Sequence, residues 1–219
     1  MTHWAESQAP TQPSGDLANR SGKGVRAFVA IRAFVAIRMN EQVEESVAKT
    51  IDELRRPHDG VRWVPRANLH ITLKFLGPAV DSHRLQQLTG GLRQLAARTA
   101  PFELASAGVG AFPDLEHPRT IWVGLRGMES GALAALAARL ETVAAECGFE
   151  REKRRWSGHL TIGRVGDRSI SSKTREALDA ARDREFGVSS IESITLYRSH
   201  LGPDGASYEA LATFLFQSH

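Results

Sequence analysis

One four-residue pattern, histidine, apolar, threonine, apolar, occurs twice in this chain, as His70-Ile71-Thr72-Leu73 and as His159-Leu160-Thr161-Ile162. With Ile, Leu or Val required at both apolar positions, two copies arise by chance only on the order of 10⁻⁴ of the time. Both lie where β-branched and aromatic residues alternate with polar ones, which predicts strands over Asn68–Leu76 and His159–Val165. Successive side chains of a strand point to opposite faces. Ile71 and Leu73, like Leu160 and Ile162, therefore enter a core. Each histidine and its threonine stand about 7 Å apart on the other face. The fold must give both strands one covered face and one open face.

The rest of the chain alternates strands and helices around these two. The hexapeptide RAFVAI occupies 26–31 and again 32–37. Six is even, so either copy puts the same residues on the same face of a strand. The second copy runs directly into a helical pattern over 40–56 with Asn40 as its N-cap, and is the better first strand. Further strands are predicted at Val61–Val64, Phe102–Phe112, Thr120–Leu125, Ile191–Tyr197 and Tyr208–Phe216. Helices are predicted after the cap Asp81, through Gly90 and Gly91, then over Glu129–Cys147 up to Gly148, and over Ser172–Arg182. Hairpin-length gaps between strands indicate α+β rather than a doubly wound sheet. The recurrence of a His-x-Thr strand followed by a helix suggests two related lobes.

With 219 residues and 42% hydrophobic content, the chain can bury a sizeable core as one domain, or as two small lobes sharing an interface. Met1–Gly24 is polar and aperiodic, holds Pro10 and Pro13, and is read as a disordered extension, leaving 25–219 as the two-lobed domain. It lacks the apolar stretch of a secretory signal, and no run approaches the roughly 20 apolar residues of a membrane span. A cytoplasmic location is expected. The formal charge of +3 and pI of 9.3 give a mild bias toward anionic partners. Cys147 is the single cysteine, which excludes an intrachain disulfide and a thiolate metal cluster.

If both strands face one groove, two imidazoles can flank one phosphorus atom while Thr72 and Thr161 donate to its non-bridging oxygens. Opening a cyclic phosphodiester needs a base beside the attacking water and an acid beside the departing ribose oxygen. Imidazole, with an ordinary pKa of about 6.5, supplies either form at neutral pH. One copy alone would read as an ordinary strand histidine; repetition in matching context argues against that. Metal ligation fits less well, because the second residue after each histidine is threonine and neither motif carries a carboxylate. No metal or other cofactor is expected.

NLHITLKFLG and GHLTIGRV, with RAFVAIRMNE, VRWVPRANLHITLKFLG and PRTIWVGL, resemble the paired motifs of the 2H phosphoesterases, in particular the RNA 2′,3′-cyclic phosphodiesterases, also called 2′-5′ RNA ligases. The resemblance covers most of the chain from Arg32 onward. It implies a bilobal α+β fold, with two pseudo-symmetric lobes of antiparallel sheet and outer helices around a central cleft, and metal-independent chemistry. It also implies His70 as proton donor, His159 as proton acceptor, and Arg164 as a phosphate clamp. Gly158 stands where that family usually has proline, and Trp156 where it commonly has phenylalanine.

Strict alternation puts Arg164 on the face opposite His159 unless Gly163 hosts a bulge. Lys74 shares the predicted face of His70 and Thr72 and either adds positive potential or is simply solvated; Arg119, beside Thr120, is a similar candidate. The basic run Arg151, Lys153, Arg154 and Arg155 reads as a solvated loop before it reads as an RNA track. Phe34, Trp63 and Trp156 are core aromatics or base-stacking platforms. The expected reaction is hydrolysis of RNA 2′,3′-cyclic ends to 2′-phosphates, with 2′-5′ ligation as the related reaction. The alternatives are the same chemistry on a small cyclic nucleotide, an ADP-ribose cyclic phosphate or a 2′-5′ oligonucleotide, or a non-catalytic RNA-end binder. No protein or membrane partner is implied, and a monomer is expected.

Overall fold

A computed structural model describes residues 30–126, 131–166, 170–203 and 205–217. The proposed extension 1–24 and all but the end of the first RAFVAI copy lie outside them. The second copy forms β1 (Ile31–Ile37), whose last five side chains are all buried. Helix α1 (Glu41–Leu54) starts where Asn40 accepts the Val43 amide at 2.9 Å, and buries Val43, Val47, Ile51 and Leu54 on one face. Then come β2 (Val61–Trp63), a 3₁₀ turn over Arg66–Asn68, β3 (Ile71–Val80) and α2 (Ser82–Ala97), capped by Asp81. The remaining elements are β4 (Phe102–Phe112), β5 (Thr120–Arg126), α3 (Ala132–Glu146), β6 (Leu160–Val165), α4 (Ser172–Ala180), β7 (Glu185–Ile191), β8 (Ser193–Gly202) and β9 (Gly205–Leu215). Among the described residues, no helix is long and apolar enough to cross a membrane.

Among the described residues the fold is α+β, with two antiparallel sheets and four α-helices. One sheet has the order β3-β1-β8-β9, the other β2-β6-β5-β4-β7. Remove β2 and the two orders correspond. In each, a motif strand (β3 or β6) pairs with the strand before its preceding helix (β1 before α1, β5 before α3), and a second helix follows it. This correspondence is the pseudo-symmetry that the paired tetrapeptides imply. The lobes are not the two halves of the chain, because β8 and β9 return to complete the sheet begun by β1 and β3.

Two sequence expectations need correction. Ile191–Tyr197 is not one strand: β7 ends at Ile191 in one sheet and β8 begins at Ser193 in the other, with Glu192 the crossing point. β7 lay hidden because Phe186-Gly187-Val188-Ser189-Ser190 has weak alternation, and Gly187 holds a φ of 114°. The motif strands also start later than expected, at Ile71 and Leu160. Each histidine therefore lies just before its strand.

Helix α2 tolerates two central glycines for different reasons. A Cβ on Gly91 would stand 2.5 Å from Val143 Cγ1 of α3, so the close helix contact excludes a side chain there. Gly90 is exposed with nothing within 4 Å. Gly90→Ala should raise stability in urea unfolding by about 0.5–1 kcal/mol, whereas Gly91→Ala should lower it. Equal gains from both changes would show that the helices do not meet at Gly91.

Candidate active site

The two histidines are held alike. His70 Nδ1 lies 2.7 Å from the Asn68 carbonyl oxygen, and His159 Nδ1 lies 2.9 Å from that of Ser157. A carbonyl only accepts, so each Nδ1 carries the proton and donates it two residues back. This fixes one tautomer in both rings and leaves Nε2 as the nitrogen available to a ligand. Asn68 is itself tied down, its side-chain amide donating to the Ala206 carbonyl of β9 at 2.8 Å.

Each motif strand carries an extra residue at the same position. Across β1 and β3, Thr72 pairs with Ala36 but Lys74 pairs with Val35, so Leu73 is unmatched. Across β5 and β6, Thr161 pairs with Trp122 but Gly163 pairs with Ile121, so Ile162 is unmatched. The fourth residue of each tetrapeptide is thus a β-bulge, and the alternation shifts by one beyond it. Leu73 and Lys74 are both buried, as are Ile162 and Gly163. The next residues, Phe75 and Arg164, then come out on the face of the threonines.

The bulge settles the position of Arg164, one residue earlier than Gly163 had suggested. Gly163 instead provides room: a Cβ there would approach Val61 Cγ1 to 2.8 Å and the Trp63 ring to 3.2 Å. Arg164 lines a cleft of about 440 Å³ together with His70, Thr72, Asn68, Phe75 and Tyr208. A second, wider cavity of about 1030 Å³ holds His159, Arg119, Phe112, Trp156 and again Thr72 and Phe75. The two hollows adjoin along Thr72 and Phe75, so both histidines open onto one groove. Thr161 is half-buried, two residues beyond His159 and opposite Trp122. A family model described as the 2'-5' RNA ligase superfamily matches residues 43–202.

The chain belongs to the 2′-5′ RNA ligase superfamily.

Its relatives and structural neighbours agree. It is 34% identical over 193 residues to an RNA 2′,3′-cyclic phosphodiesterase of Archaeoglobus fulgidus, covering 87% of this chain and 99% of that one. The crystal structure of TT0787 from Thermus thermophilus superimposes with a TM-score of 0.72 at 25% identity, over 85% of this chain and 98% of that one. The E. coli LigT structure with ATP gives a TM-score of 0.65 at 25% identity, over 86% and 99%. LigT has also been solved with 3′-AMP.

Within this superfamily fold, the surroundings of the two rings differ. His70 is half-buried against Phe34, centroids 4.9 Å apart, with Tyr208 edge-on at 5.0 Å. Burial and then the positive charges of Arg164, Arg38 and His159 hold its pKa below the ordinary imidazole value, against the opposing pull of the Asn68 carbonyl. His159 meets Phe112 edge-on at 5.1 Å. Arg38 supports the His70 side, paired through two hydrogen bonds of 2.8 and 2.7 Å with the buried carboxylate of Glu44.

Lys74 is the clearest departure from the sequence reading. The bulge turns it away from the face of His70 and Thr72. It is 4% exposed, contacts Glu141 of α3 at 2.9 Å and donates to the Glu150 carbonyl at 2.7 Å. Glu141 also accepts the Glu152 amide at 2.8 Å, so this pair fastens the loop before the second motif to the first motif strand. Arg119 is exposed and donates to the Gly166 carbonyl at 3.2 Å. Arg154 and Arg155 line the wider cavity, while Arg151 and Lys153 line a neighbouring hollow; all four are exposed. Among the described residues, no three His, Cys, Asp or Glu side chains are placed to hold a metal.

Of the candidate aromatics, Phe34 is core beneath His70, and Trp63 lines the smaller cleft with its ring nitrogen donating to Asp59 at 2.8 Å. Phe75, Phe112, Tyr208, Arg32 and Arg62 also line the groove and were not singled out from sequence. Strict alternation from His70 would send Phe75 into the core, and the bulge exposes it. Tyr208 and Arg32 arrive from strands far away in the chain, where no local pattern marks them.

The Lys74–Glu141 pair gives a stability test. Glu141→Ala leaves a buried ammonium uncompensated and should cost about 3 kcal/mol. Lys74→Met leaves only a partly exposed carboxylate and should cost clearly less. Urea unfolding of both variants checks the order; the reverse order would mean that Lys74 is not buried in solution.

Proposed function

We propose that the chain opens RNA 2′,3′-cyclic phosphate ends to 2′-phosphates, with His70 and His159 as its acid–base pair. The observation that carries the reading is the matched presentation of two Nδ1-anchored imidazoles to one groove, with a threonine two residues beyond each. Family membership and cyclic phosphodiesterase relatives support it.

In this reaction His159 Nε2 takes a proton from water, and the resulting oxygen attacks phosphorus. The P–O3′ bond breaks on the opposite side, and O3′ receives a proton from His70 Nε2, leaving the phosphate on O2′. Thr72 and Thr161 donate to the non-bridging oxygens, and Arg164 adds charge there; Arg119 serves the side of His159. Lys74 keeps no such role, because its charge is committed to Glu141. An RNA 5′-hydroxyl in place of water gives a 2′-5′ linkage by the same steps. The smaller cleft beside His70 suits the nucleoside that carries the cyclic phosphate.

The donor direction has a consequence for pH. His70 must be protonated to act, yet burial and neighbouring cations lower its pKa in the free protein. In a ¹⁵N titration of the free protein the His70 ring should therefore lose its proton below about pH 6.5, the ordinary imidazole value. Bound phosphate offsets the cations and should move that titration to higher pH. A His70 ring that titrates above the ordinary imidazole value in the free protein would overturn this electrostatic reading.

An RNA oligonucleotide ending in 2′,3′-cyclic phosphate, incubated in EDTA, should yield a 2′-phosphate. His70→Ala and His159→Ala should each slow it by roughly 10²–10⁴-fold. A 3′-phosphate product, or activity abolished by EDTA and restored by Zn²⁺, would overturn the mechanism.

A further inference from the structure

The indole of Trp156 joins the two motifs directly. Its Nε1 donates to the backbone carbonyl oxygen of Thr72 at 3.1 Å. Thr72 belongs to the first motif on β3, an edge strand, whereas Trp156 is three residues before the second-motif histidine. The ring has a dedicated seat. A Cβ on Gly158 would lie 2.6 Å from Trp156 Cη2, 3.1 Å from Cζ3 and 3.2 Å from Leu125 Cδ1, so the indole occupies the space of the missing side chain. Between the indole and His159 lies Ser157, whose carbonyl oxygen sets the His159 tautomer at 2.9 Å. Four consecutive residues thus form one device: an anchor to the opposite motif, the acceptor that orients the imidazole, a glycine that admits the anchor, and the histidine itself.

We propose that Trp156 is a positioning residue for His159, and that Gly158 is required because it seats the indole. This rests on the acid–base role proposed for His159. The same segment is tethered upstream, where Lys74 holds the Glu150 carbonyl and Glu141 holds the Glu152 amide. Those contacts lie four or more residues before Ser157, and the chain from Arg154 to Ser157 is half-buried at Trp156 and otherwise exposed. Trp156 is therefore the contact that fixes the last turn of chain before the imidazole. Phenylalanine would fill the seat without donating. Alanine at 158 would keep the indole and push it from the seat. The two changes damage the same device through different atoms.

Both variants should lower kcat by roughly tenfold, since a displacement of about 1 Å in a reacting group is enough for losses of that order or more. KM should stay within about twofold, because the ring does not act as the nucleotide's platform in this role. The diagnostic is the background: in His159→Ala, a further Trp156→Phe change should have no effect, as expected when one residue acts only through the other. The ¹⁵N spectrum of the His159 ring supplies a readout that needs no turnover. It should show a single Nδ1–H tautomer in the wild type and a mixture in Trp156→Phe. An unaltered kcat and ring spectrum in Trp156→Phe would overturn the proposal, and so would an equal loss of rate with and without His159. If the wild type failed to open the cyclic phosphate, the proposed function would fall, while the ring spectrum would still decide the role of Trp156.

Discussion

One extra residue in each motif strand organises the groove. Leu73 and Ile162 are apolar and must stay buried, yet the strand beyond them has to return a side chain to the open face. A regular strand would give the sequence out, in, out, in, out from each histidine, exposing Lys74 and burying Phe75 and Arg164. The bulge places two consecutive residues on the core side and then resumes. Arg164 reaches the open face of the threonine for this reason alone. Phe75, its counterpart in the other lobe, comes out beneath Arg32, whose guanidinium lies 4.6 Å from the ring centroid.

The second constraint is on the distance between lobes. Two half-sites on different sheets can serve the proposed reaction at one phosphorus atom only if the sheets keep their spacing. Three contacts bridge them near the groove: the Lys74–Glu141 ion pair, the Lys74 bond to the Glu150 carbonyl, and the Trp156 bond to the Thr72 carbonyl. All three begin or end on β3. A buried ammonium in this place costs desolvation, and its full set of partners offsets that cost while fixing geometry. Electrostatics follow from the same packing: a half-buried imidazole near two arginines and a second histidine sheds its proton easily until an anion arrives.

Much of the architecture was legible in the chain. Asn40 and Asp81, read as caps from the sequence, each cap a helix by accepting an amide three residues on, a local interaction that residue type and position reveal. The second RAFVAI copy is the first strand because it leads straight into a capped helix. What escaped was non-local. β7 is an edge strand whose pairing with β4 supplies what its weak alternation lacks. The join at Glu192 is a change of sheet within an apparently continuous apolar run.

The sequence by itself determined that two threonines, each two residues after a histidine, belong to strands with covered and open faces, because those properties depend on neighbours two residues apart. Which side chains share the groove was decided only by tertiary structure. A bulge is a property of a pair of strands, so neither the exposure of Arg164 and Phe75 nor the capture of Lys74 by Glu141 can be read from one strand alone. The seat that Gly158 makes for Trp156 belongs to the same class: a missing Cβ has meaning only when the ring that fills its space is in place.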